Sequence, residues 1–83
     1  MVENHNNSLS EGIQSLLAEA IQVPVEMVTA DLTFGDLPQW DSLGHMEIMV
    51  RLEEKYGVEV NAETIAQLIS IPEIVQYIER NGP

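Results

Sequence analysis

The 83-residue chain contains no cysteine, so neither a disulfide framework nor a thiolate metal site can hold it together. Its two histidines, His5 and His45, lie far apart without partners at ligand spacing, which leaves no metal-binding set. Basic residues are equally scarce: three against fourteen acidic ones, a net charge of −11. Such a surface repels nucleic acid and anionic lipid, both of which reward Lys and Arg. It is steered instead toward basic patches on other proteins, although acidity also serves solubility alone. No apolar run approaches the ~18 residues of a membrane span. The stretch Met1–Asn7 is polar and lacks the basic and apolar regions of a secretory signal. A soluble cytoplasmic protein is expected, monomeric through like-charge repulsion.

The length allows one domain, residues 1–83, with a polar tail over residues 1–7. A core of this size supplies only ~3–5 kcal/mol of net stability. The 45% hydrophobic content must therefore pack efficiently, most simply as a short helical bundle.

Four helical segments are predicted. Ser8-Leu9-Ser10-Glu11 reads as a capping box opening the first, in which Ile13, Leu16, Leu17, Ala20 and Ile21 recur at helical spacing. Pro24 stops it near Gln22. A connection of more than ~12 residues then runs from Val23 to Trp40, long enough to require a function or local structure. Within it, Val25, Met27 and Val28 after Pro24 suggest a single helical turn, and Leu32, Phe34 and Leu37 pin the remainder to the bundle.

Asp41 caps a second helix over Ser42–Tyr56, with Leu43, Met46, Met49, Val50 and Leu52 toward the core and Ile48 at its margin. Arg51 and Lys55 are each placed to pair with a nearby glutamate, and Gly57 closes the helix in a left-handed conformation. Val58-Glu59-Val60 is an extended link. Asn61 caps a short third helix, Ala62 to Ile69, and Ser70-Ile71-Pro72-Glu73 is a capping box for a fourth, with Ile74, Val75 and Ile78 inward and Asn81-Gly82-Pro83 at its end. The expected fold is all-α: a four-helix bundle with a short third helix and a long loop between helices one and two.

Ser42 stands at the first turn of helix two, where backbone N–H groups lack intrahelical partners and the helix dipole is positive. That is a site for a phosphate group. Asp and Ser also simply cap helices, and the pair alone does not separate the two roles.

The surroundings do more. Asp41-Ser42-Leu43 heads the helix Glu47-Ile48-Met49-Val50-Arg51-Leu52-Glu53-Glu54-Lys55-Tyr56, after a long loop and before the Ser70-Ile71-Pro72-Glu73-Ile74-Val75-Gln76-Tyr77-Ile78 ending. From about Leu9 to Ile78 the chain resembles the acyl carrier protein family. The resemblance implies that a phosphopantetheinyl transferase moves 4′-phosphopantetheine from coenzyme A to Ser42, flanked in the attachment motif by Asp41 and Leu43. The arm's thiol would hold an acyl cargo for fatty-acid, polyketide or related biosynthesis, with no catalysis by the carrier. It further implies docking of Leu43, Glu47, Glu53 and Glu54 on basic patches of acyl-loading and acyl-processing enzymes.

The chain also departs from the family pattern. Gly44-His45 follows the motif where fatty-acid carriers usually place an acidic residue. Leu37-Pro38-Gln39-Trp40-Asp41 is one residue longer than the usual loop and lacks its glycine. The Gly-Gly of peptidyl carriers is missing too. These departures point to a specialised, stand-alone carrier.

Trp40 is expected to anchor the loop. Leu43 is divided between core and docking roles, and Met46 and Met49 are expected in the core rather than against cargo. His45 is expected on an exposed helix face; an Asp41/Ser42/His45 triad has poor geometry because adjacent helical residues face different directions. The alternatives to an acyl carrier are an aminoacyl or peptidyl carrier and a cofactor-free acidic interaction module.

Overall fold

The computed structural model describes residues 5–81, with side chains from Ser8. These residues form four helices: α1 (His5–Ile21), α2 (Ser42–Tyr56), α3 (Ala62–Gln67) and α4 (Ile71–Asn81), with a 3₁₀ turn at Val25–Met27. The all-α expectation holds. Among the described residues no helix is long and apolar enough to cross a membrane.

In α1 the stripe Ile13, Leu16, Leu17, Ala20 and Ile21 is buried as its spacing requires, and α1 packs on both α2 and α4. The helix begins at His5, however, so Ser8 and Glu11 lie inside it and do not form its opening. Backbone carbonyls upstream of Ser8 already serve the amides that a Ser8 cap would satisfy. At the other end Gln22 turns left-handed with φ 61°, and the Val23 N–H donates to the Ala18 carbonyl at 3.0 Å. That 6→1 bond closes the helix before Pro24.

The long connection is pinned rather than loose. Val28, Leu32 and Trp40 are buried, while Leu37 packs partly buried against the core. The Gln14 side-chain amide donates to the Val28 carbonyl at 2.6 Å, fastening the loop to α1. Around a single bridge between Thr33 and Ser70, the Phe34 N–H donates to the Ile69 carbonyl at 2.8 Å and the Ile71 N–H to the Leu32 carbonyl at 2.9 Å. The loop is thereby held against the α3–α4 link.

The Ile69 carbonyl accepting from Phe34 explains why α3 stops at Gln67, short of the expected Ile69. Leu68 leaves helical geometry with ψ 62°, freeing Ile69 to meet the loop. At the head of α3, Asn61 and Thr64 form a reciprocal capping box, and the buried Thr64 hydroxyl donates to the Glu59 carbonyl at 2.7 Å. Ser70 caps α4 as expected, its hydroxyl accepting from the Glu73 N–H at 3.2 Å. Ile71 and Ile74 are fully buried, and Val75 and Ile78 pack partly buried against the core.

Candidate functional site

The site is built at the head of α2. Asp41 is extended, with φ −104° and ψ −168°, and its Oδ1 accepts from the Gly44 N–H at 2.8 Å, while its carbonyl accepts from the His45 N–H at 2.7 Å. These two bonds start the helix. Ser42 follows as its first residue, exposed to solvent. Among the described residues neither its hydroxyl nor the amides of Ser42 and Leu43 have a protein partner. A hydroxyl free to be modified beside two free N–H groups at the positive end of a helix fits a phosphate ester.

α2 turns a different face to the core than its hydrophobicity suggests. The buried residues are His45, Ile48, Met49 and Leu52, at the i, i+3, i+4, i+7 spacing of a helix face. Ile48, expected at the margin, is fully buried, whereas Met46 and Val50, expected in the core, are each 41% exposed. Leu43 is 81% exposed and so has no core role. At 100° per residue, Leu43, Met46, Glu47, Val50, Glu53 and Glu54 fall within an arc of about 120° opposite the core. Apolar and acidic side chains are thus mixed on one outer face that begins beside Ser42. Arg51 pairs with Glu47 at 3.2 Å and Glu19 at 3.6 Å; among the described residues no ion pair within 4.0 Å reaches Lys55.

His45 is the main correction. It is buried, not on a solvated face, because both ring nitrogens find partners inside the bundle. The Trp40 indole N–H donates to Nδ1 at 3.1 Å, and Nε2 lies 2.8 Å from the Ile65 carbonyl. An indole only donates and a carbonyl only accepts, so the ring is the Nε2–H tautomer. Both nitrogens are committed away from Ser42, and no Asp41/Ser42/His45 relay forms. Trp40 is completely buried and anchors the loop as expected. Phe34, expected to pin the loop from within, stays 39% exposed and sets its ring edge-on to His45 and Trp40, at centroid distances of 5.6 and 6.2 Å.

Gly44 belongs to the same arrangement. A Cβ at this position would run into the Gln39 carbonyl oxygen and press on Ile21 at 3.1 Å. The Pro38-Gln39-Trp40 segment crosses the helix where a side chain at position 44 would stand. The path of this segment and the pair Gly44-His45 are therefore complementary. The loop needs Gly44 to pass, and its Trp40 needs His45 as a hydrogen-bond partner.

Beside Ser42 opens an apolar cleft of about 290 Å³, lined by Phe34, Ser42, His45, Met46, Ile65 and Ile69. Met46, expected in the core, is a wall of it. The cleft was illegible in the sequence because three of its lining residues come from the loop, α3 and the α3–α4 link.

Residues 11–78 match the family model described as a phosphopantetheine attachment site. An acyl carrier protein of Helicobacter pylori is 38% identical over 74 residues, covering 89% of this chain and 95% of the relative. One from Akkermansia muciniphila is 33% identical over 75 residues, covering 90% and 94%. A meromycolate extension acyl carrier protein of Mycobacterium leprae is 33% identical over 69 residues, covering 83% of this chain and 60% of its own length. With the free serine at the positive end of α2, these matches show that the chain belongs to the acyl carrier protein family and bears that family's phosphopantetheine attachment domain.

Proposed function

We propose that residues 1–83 act as one carrier domain, holding acyl groups on a 4′-phosphopantetheine arm esterified to Ser42 and presenting them to biosynthetic enzymes. The observation that carries this reading is the Ser42 hydroxyl, without a partner among the described residues and exposed at the first turn of α2, next to two backbone amides equally unpaired among them and the mouth of an apolar cleft. When bound, the arm supplies a thiol that holds the cargo as a thioester. The chain's own part is to fix the attachment point, offer the phosphate a positive helix end, and present a face to each partner. Among the described residues His45, the histidine nearest Ser42 in the chain, has both ring nitrogens bonded elsewhere.

The outer face of α2 suits docking. Leu43 projects from the helix head, and Glu47, Glu53 and Glu54 follow along the same outer face with negative charge that complements basic patches on a transferase and on acyl-loading and acyl-processing enzymes. Contacts of this rim type mainly set encounter rate and salt sensitivity, which suits a shuttle that must leave each partner.

Intact-protein mass after incubation with coenzyme A and a promiscuous phosphopantetheinyl transferase tests the reading. One phosphopantetheinyl group should appear on Ser42 and be absent in Ser42→Ala, with the circular dichroism spectrum unchanged. A folded chain that gains no mass with several active transferases would be an acidic docking module instead.

A further inference from the structure

Resting on the carrier reading above, we infer that the Trp40–His45–Ile65 hydrogen-bond chain closes the floor of the cleft beside Ser42 and makes this a carrier of short acyl chains. In this arrangement His45 is a specificity-determining residue that keeps cargo out of the bundle interior.

The cleft lies between α2 and α3. Met46 and His45 stand on the α2 side, Ile65 on the α3 side, and Phe34 and Ile69 come from the loop and the α3–α4 link. Its walls are hydrocarbon and aromatic surface, which accepts an alkyl chain and offers little to a charged aminoacyl group. Ser42 lines the same cleft, so an arm attached there and folded back along α2 brings its thioester-bound cargo to it.

Depth is set by the floor. His45 is 5% exposed, and its Nε2–H donates across the α2–α3 gap to the Ile65 carbonyl at 2.8 Å. Behind it, Trp40 is 0% exposed and donates to Nδ1 at 3.1 Å. Ile48, Met49 and Leu52 fill the interior beyond, all at 0% exposure. A chain pushing deeper must part α2 from α3. It must also strand an indole N–H and a backbone carbonyl among apolar side chains, where no water replaces the lost partners. A hydrocarbon floor would yield by repacking; a hydrogen-bonded floor resists.

The volume then sets the length. At ~30 Å³ per water-sized group, a 290 Å³ cleft has room for about ten such groups. Its open mouth lowers that figure, so cargo beyond about eight carbons leaves its tail in water.

The test loads Ser42 with a homologous series, using a promiscuous transferase and acyl-coenzyme A donors from acetyl through butanoyl, hexanoyl and octanoyl to dodecanoyl and tetradecanoyl. The melting temperature of each loaded protein is read by circular dichroism after mass confirms full modification. It should rise from acetyl to about hexanoyl or octanoyl and then stay level. In His45→Ala the rise should continue to dodecanoyl. Trp40→Phe leaves a smaller aromatic ring, removes the indole N–H and should extend the series as well, which serves if His45→Ala does not fold. A wild-type rise that continues through tetradecanoyl would overturn the inference, because it would mean the interior admits the chain. So would a fully loaded series with no length dependence, because the cleft would then hold no cargo. Absence of any mass gain on Ser42 would instead remove the carrier reading beneath it.

Discussion

Replacing Gly44 by alanine sets two effects of opposite sign against each other. Helix propensity alone favours the change: Gly to Ala within a helix stabilises by about 0.5–1 kcal/mol. Packing opposes it, since the new Cβ would overlap the Gln39 backbone oxygen and crowd Ile21 Cγ2 at 3.1 Å and Asp41 Oδ1 at 3.4 Å. A carbonyl oxygen in a segment anchored by the buried Trp40 cannot swing aside as a flexible side chain would. Relieving it moves the loop, and forced insertion of this kind costs about 1–3 kcal/mol. Packing should win, leaving Gly44→Ala less stable by about 1–2 kcal/mol. For a chain of this size that lowers the melting temperature by about 4–16 °C. Urea denaturation followed by circular dichroism at the helix band gives the difference directly, with an unchanged m-value showing that stability alone has changed. Because the same segment leads into Asp41 and Ser42, the transferase rate should fall together with stability. A higher urea midpoint would refute the argument: helix propensity would then be the governing term, and the loop would not be pressed against the helix.

Two further outcomes follow from other parts of the molecule. Gln22 holds φ at 61°, a left-handed conformation unfavourable for a side chain, so Gln22→Gly should raise stability by about 0.5–1 kcal/mol in the same denaturation assay. Loss of stability would show that the glutamine side chain makes a compensating contact. Glu54 lies on the outer face of α2 and is exposed, so Glu54→Lys should leave stability within about 0.5 kcal/mol of the parent. It should slow association with a basic partner several-fold at low salt, the gap narrowing as salt rises, by stopped-flow binding; an unchanged rate would place docking elsewhere.

Much of the fold was legible because it rests on local signals. Asp41 before Ser42, Asn61 before Ala62 and Ser70 before Ile71 each cap a helix as side-chain oxygens do wherever amides are orphaned. Gly57 at φ 72° and the turn after Pro24 are equally local. In α1 a single apolar stripe faced one way, and its burial followed. α2 was different. Leu43, Met46, Ile48, Met49, Val50 and Leu52 encircle much of the helix, so periodicity could not choose a face. The residue that decides it is the polar His45, whose burial requires a partner at each ring nitrogen. Those partners, Trp40 and the Ile65 carbonyl, become neighbours only when the loop and α3 have packed.

The sequence by itself determined that four helices form, the caps of α2, α3 and α4, the acidic surface, the Asp41-Ser42-Leu43 motif and the family it resembles. These depend on neighbours within a few residues or on composition, and no folding is needed to read them. Tertiary structure alone decided which face of α2 is buried, why Gly44 stands after the motif, and that an open apolar cleft adjoins Ser42. Each of those arises where the long loop, α2 and α3 meet, and complementarity among distant segments leaves no periodic mark on any one of them.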